Sequence, residues 1–191
     1  LFAGIMIATT PLVAEARGAK TPEKIPTIAR QSLWVAAILG VVAMLILQGM
    51  PFFLPLFGVP ESLLPKASLF LHAIGFGMPA VMMYAALRSY SEALGHPRPV
   101  TAISLLALLA LIPLNLVFMY GFGPIPALGS AGCGFATAIL QWLMFITLAI
   151  YISRAQAYKQ APIFTQWEKL DLGWTKRILK LGFPIGLAVF F

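Results

Sequence analysis

The sequence predicts an all-α integral membrane protein, and three observations predict it. Hydrophobic residues fill 60% of the 191 positions and charged residues only 10%, whereas a soluble domain carries about 25% charged residues to solvate its surface. Mean hydropathy is +0.91. Runs at about 33–54, 63–87, 100–120 and 131–152 are almost free of charge, and each has roughly the 20 residues that a membrane helix needs.

Taken in order, residues 1–14 are apolar but too short to span, and read as the last part of a partial span. Residues 15–30 are a charged loop broken by Gly18, Pro22 and Pro26. The first full span carries Trp34 at its entrance, a position that suits an interfacial aromatic, and leaves through Pro51, Pro55, Gly58 and Pro60. The second holds Lys66 and His72 in its first turns, within snorkelling reach of the surface. Gly75, Gly77 and Pro79 interrupt its middle, and Pro79 is a candidate kink or hinge. A short polar loop at 88–98 leads to the third span. A Gly/Pro turn then leads to the fourth, which opens on small residues from Gly129 to Thr137. A long basic segment, 154–180, precedes the opening of a further span that contains Pro184, a third hinge candidate beside Pro79 and Pro113.

The charges orient these spans. If the helices alternate, the segments 15–30, 88–98 and 154–180 share one side, and they hold twelve of the 13 Lys and Arg residues; Lys66 stands alone on the other. The positive-inside rule makes the basic side cytoplasmic. The net charge of +7 is therefore read as a topology signal, with lipid head-group contact as a secondary role and no nucleic-acid partner. Ala14-Glu15-Ala16-Arg17-Gly18 and Ser91-Glu92-Ala93-Leu94-Gly95 leave the membrane in the same way, a faint sign of an internal repeat.

The chemistry on offer is sparse. Cys133 is the single cysteine, so no intrachain disulfide forms, and no metal cluster is implied. No phosphate-binding loop, zinc helix or nucleophile elbow is present, and an enzyme is not expected. No Asp or Glu lies within a complete span. The conspicuous group is Asn115, about 15 residues into its span and two after Pro113. Hydrocarbon offers an amide no hydrogen-bond partner, and Pro113 frees a carbonyl in the preceding turn. Together they could coordinate a cation or line a cavity; a simple helix–helix hydrogen bond is the alternative. Thr137 and Gln141 share a face of the next helix, four residues apart.

The segments PLVAEARGA, RQSLW, FGVPESLLPKA, YAALRSYSEALGHPRPV, IPLNLVFMYG, PALGSAGCGFATA and LKLGFPIGLAVFF follow one another along the chain. In that order they resemble the multidrug and toxic compound extrusion (MATE) family, in its NorM-like bacterial branch. That resemblance implies a MATE-like bundle, a fragment of a two-lobe transporter of twelve helices running from helix 2 to the start of helix 7. Residues 1–175 would be most of the first lobe with its cytoplasmic linker, and 176–191 the start of the second. It also implies export of cationic amphipathic drugs and dyes in exchange for sodium ions or protons, without another cofactor, by a monomer in the bacterial inner membrane. Asn115 and Thr137 match the family's polar network on helices 5 and 6. A second helix-5 acid found in some relatives is Met119 here, which with Gln141 becomes a cavity-lining candidate.

Two rival readings stand beside this one. A lipid-linked precursor flippase shares the general architecture, but moving an anionic head group calls for Arg or Lys in the cavity. The complete spans have only Lys66, near an end. A non-transporting membrane subunit would explain the packing glycines and leave Pro113 and Asn115 without a use.

Overall fold

The computed structural model describes residues 2–19, 23–123, 126–159, 162–164 and 169–190. Helices α1 (Phe2–Ile7) and α2 (Thr9–Gly18) are two halves of one bent rod. The ladder breaks at Ala8, whose N–H bonds to the Ile5 carbonyl three residues back at 3.2 Å. Just beyond, Pro11 has no N–H to give and its ring crowds the Ile7 carbonyl.

Helix α3 (Lys24–Gly49) runs into a 3-10 turn, Met50–Phe57. Pro51 and Pro55 cannot donate to an α-helical ladder, so the chain tightens and stops at Gly58, whose φ of +74° suits glycine. Helix α4 (Leu64–Ala93) is the longest and the centre of the bundle, packed between α3 and α6 (Ser130–Arg154). Helix α5 (Arg98–Tyr120) packs on α6, and α7 (Leu172–Phe190) on α1. Among the described residues, four helices are long and apolar enough to cross a membrane, so the chain is a multi-pass membrane protein. On α5, Leu105, Leu106, Leu108 and Leu109 are about 60% exposed, a surface that only lipid or further protein would cover at no cost.

The helices outrun the spans read from hydropathy. The loop expected at 15–30 shrinks to the few residues between Gly18 and Lys24, and the loop at 88–98 to those between Ala93 and Arg98. Likewise α7 starts at Leu172, well before its apolar run. Hydropathy marks where the membrane would end. The helix itself stops only where a residue stops it, here Gly95 at φ +80° followed by Pro97. Arg30 is accordingly in α3, and buried, not in a solvated loop.

The three basic segments do meet at one end of the bundle. Arg17 Nη1 donates to the Ala93 carbonyl at 3.4 Å, and Arg30 Nε donates to the Ile163 carbonyl at 2.9 Å. The core is concentrated at this end, around Val13, Ile28, Leu87, Tyr90 and Leu148. Tyr158, in the 3-10 turn Gln156–Tyr158 after α6, is buried there. Ser91 donates its hydroxyl proton to the His96 carbonyl at 2.7 Å, so Tyr158 must be the donor in its 2.5 Å bond to Ser91 Oγ. Burial, the main cause, holds the Tyr158 phenol above its ordinary pKa, opposed by the Ser91 bond and helped by Tyr151; it stays a proton donor through the physiological range. Tyr158→Phe removes that donor and leaves the Ser91–His96 bond intact. We expect it to cost about 0.5–1.5 kcal/mol, read as a small fall in the thermal unfolding midpoint of the full-length protein in detergent.

Small residues set the helix spacing. A Cβ on Gly40 would lie 2.5 Å from Pro79 Cα, one on Gly77 3.0 Å from Ala138 Cα, and one on Gly4 2.6 Å from Gly186 Cα. Lipid tails are as apolar as side chains, so helices in a membrane associate through such close backbone packing.

Candidate functional site

Asn115 lies two residues after Pro113 within α5, where the chain stays helical despite the proline. Its Oδ1 is buried and accepts no hydrogen bond among the described residues. An amide oxygen in that state costs about 1–3 kcal/mol of lost hydration. Pro113 itself faces outward, and its missing N–H releases the Leu109 carbonyl from the ladder.

The turn after α5 fixes how α6 meets it. The N–H groups of Leu128 and Gly129 return to the carbonyls of Phe118 and Met119, both at 3.1 Å. Gly132 then sits directly against the Phe118 carbonyl, where a side chain could not fit. Gly134 sits against α4, a Cβ there lying 2.9 Å from the Phe70 carbonyl oxygen. Lower down, Ala107 and Ala110 of α5 share an apolar groove of about 170 Å³ with Leu140 and Leu143 of α6. This antiparallel register brings Asn115 to the level of residues 135–137, and so within about a turn of Thr137.

Thr137 is half-buried, and its hydroxyl donates to the Cys133 carbonyl one turn back at 2.8 Å. The proton is spent on its own helix; the oxygen lone pairs remain available. Gln141 follows on the same face and is half-buried. Met119 is half-buried at the end of α5, with its carbonyl held by Gly129. Pro79 lies against Gly40 at the α3–α4 crossing, and Pro184 is exposed on α7. His72 Nδ1 lies 2.6 Å from the Ser68 carbonyl on its own helix, so that nitrogen carries the proton. Asn115 and Thr137 each offer an uncharged oxygen acceptor at about the same level of the α5–α6 pair, in apolar surroundings. Such oxygens can replace part of a cation's hydration shell.

Larger clefts lie elsewhere. An open one of about 650 Å³ runs along α7 past Leu172, Thr175 and Phe183. One of about 480 Å³ includes Ile152, Tyr158, Pro162 and Phe164, another of about 370 Å³ includes His96, Arg98, Tyr151 and Tyr158, and these two open at the basic end. The structure also shows a polar pair that sequence reading missed. Arg30 and Gln31 are buried and bonded to the segment between α6 and α7. The only signal was a glutamine placed just before an apolar run.

Residues 1–117 match the MatE family model. The chain is 76% identical over 191 residues to the probable multidrug resistance protein NorM of Acinetobacter baylyi, covering 100% of this chain and 42% of that one. It is 35% identical over 188 residues to the multidrug resistance protein NorM of Aliivibrio fischeri, covering 98% and 41%. Among solved structures it superposes on the MATE transporter NorM-NG, solved in a complex with a monobody, with a TM-score of 0.80. The identity there is 31%, over 99% of this chain and 41% of that one. A MATE structure in complex with MaD3S, at 20% identity, gives a TM-score of 0.84 and shows the same fold. The chain thus spans about two fifths of the length of the curated relatives it matches. With a family model matched over more than half its length and these relatives over essentially all of it, the chain belongs to the MatE family of multidrug and toxic compound extrusion (MATE) transporters.

Proposed function

We propose that this chain is part of a secondary active multidrug exporter. The whole protein would move cationic amphipathic drugs and dyes out of the cell in antiport with sodium ions or protons. It would act as a monomer in the bacterial inner membrane, with the basic end of the bundle in the cytoplasm. It would be a transporter and not an enzyme, since the Asn115 region offers acceptor oxygens and no nucleophile–base pair. Transport would proceed by alternating access: two lobes rock about a central cavity, and the ion favours one conformation because it binds that conformation better.

The observation that carries this reading is the buried, unpartnered Oδ1 of Asn115. Its cost is explained if a cation or a proton carrier occupies that oxygen during the cycle. The names of the relatives, multidrug resistance proteins in both cases, support drugs as the cargo.

The test uses the full-length protein in cells or vesicles preloaded with ethidium, with a sodium gradient or a proton gradient imposed in turn. Efflux that follows one gradient is expected and names the ion. Efflux with neither gradient would overturn antiport.

A further inference from the structure

Arg30 and Gln31 stand side by side in the second turn of α3, 5% and 0% exposed. A buried guanidinium is tolerated only if its donors are paired. Arg30 Nε donates to the Ile163 carbonyl at 2.9 Å and its Nη2 to the Pro162 carbonyl at 3.2 Å. Gln31 Nε2 donates to the Lys169 carbonyl at 2.9 Å, while its Oε1 accepts the Asp171 N–H at 2.9 Å. All four bonds go to backbone, on a segment 132–140 residues away, between α6 and α7.

Asp171 is the residue that starts α7. Its Oδ1 accepts the Gly173 N–H at 2.7 Å, and its carbonyl accepts the Thr175 N–H at 3.0 Å. Gln31 therefore grips the cap of α7 from α3. A second tie lies beside it: Arg177 of α7 meets Glu15 of α2 at 2.9 and 3.1 Å. Both partners are more than half exposed, so this pair adds little. The buried bonds add to the close packing of α7 on α1, where Gly4 meets Gly186.

We propose that Arg30 and Gln31 are positioning residues for transport: Arg30 fastens the segment after α6, and Gln31 the start of α7, to α3, and together they favour the state in which the basic end is closed. The proposal rests on the exporter reading, in which the α6–α7 segment joins two lobes that rock. On that reading α7 belongs to the second lobe and α3 to the first. Opening the basic end must then break these bonds or carry α3 along. Either way they bias the equilibrium between the two conformations.

The experiment places spin labels at Arg154 and Lys176, both exposed, in the full-length protein in liposomes, and compares wild type with Gln31→Leu and Arg30→Lys. Losing the two Gln31 bonds should shift the open-to-closed ratio roughly 5- to 150-fold, the factor for two ordinary buried hydrogen bonds. Expected are a second, longer distance between the labels and a several-fold lower kcat for efflux with KM unchanged. Arg30→Lys should move both readouts the same way by less. Wild-type distances in both variants, or altered distances with wild-type kcat, would overturn the latch. Loss of both variants from the membrane would make the pair an assembly element and also overturn it. A wild type that fails to transport would sink the exporter reading alone, since the label distances would still decide the latch.

Discussion

Gly40→Val should all but remove the full-length protein from the membrane. A Cβ at Gly40 would stand 2.5 Å from Pro79 Cα, 3.1 Å from Pro79 N and 3.2 Å from the Met78 carbonyl oxygen. All three are backbone atoms, and two belong to a proline ring, so no side chain can swing aside. The α3–α4 crossing must open instead, and this contact is one of the most extensive in the bundle. Ala36, Ala43 and Ala80 are buried in the same helix pair and would lose their close packing with it. Overpacking of this kind costs about 1–3 kcal/mol where neighbours can adjust, and more where they cannot. Gly49, on the same helix, has nothing within 4 Å of its Cβ position, so Gly49→Val is the matched control and should accumulate normally. Membrane abundance and thermal unfolding of the two variants check the prediction; equal behaviour would mean that the helices do not cross at Gly40.

Why the sequence revealed some of this and hid the rest can be seen at particular residues. The spans were legible because hydrocarbon excludes charge, and the common end of the three basic segments because Lys and Arg sort to one side. The helix ends were not, because Arg88, Ser91 and Glu92 are polar enough to leave the membrane yet remain helical to Ala93. Arg30 shows the limit best. By charge alone it reads as one more loop residue of the basic side. Its burial depends on a segment more than 130 residues away, and local pattern carries no such information. Gly132 was legible only as a small residue and Gly40 drew no reading at all; which backbone each one touches is a property of the crossing. Asn115 was conspicuous because an amide in an apolar run is costly. That its oxygen is buried without a partner, and that Thr137 spends its proton on Cys133, are properties of the folded bundle that no local pattern encodes.

That unpartnered oxygen makes the second large effect diagnostic, because stability and transport should move in opposite directions. Asn115→Leu removes a buried oxygen that accepts no hydrogen bond among the described residues. Relief of its desolvation cost should leave the unfolding midpoint of the full-length protein unchanged or raise it, by up to about 1–3 kcal/mol. Efflux should fall steeply in the same variant. A hydrogen bond to a charged group contributes about 1.5–3 kcal/mol, and at about 1.4 kcal/mol per tenfold its loss lowers coupled efflux roughly 10- to 100-fold. A purely structural asparagine predicts the reverse: transport is kept, and stability falls by about 0.6–2 kcal/mol, as is typical of a polar contact between membrane helices. Dye efflux and thermal unfolding, measured on the same preparation at matched abundance, separate the two. Thr137→Val sharpens the comparison. It also removes an oxygen acceptor at the level of Asn115, but gives up a 2.8 Å bond that only satisfies its own helix. If the two oxygens serve one cation, Asn115→Leu and Thr137→Val should each depress efflux, and the double variant should be no worse than the poorer single one. Independent packing roles would instead make their losses of stability add.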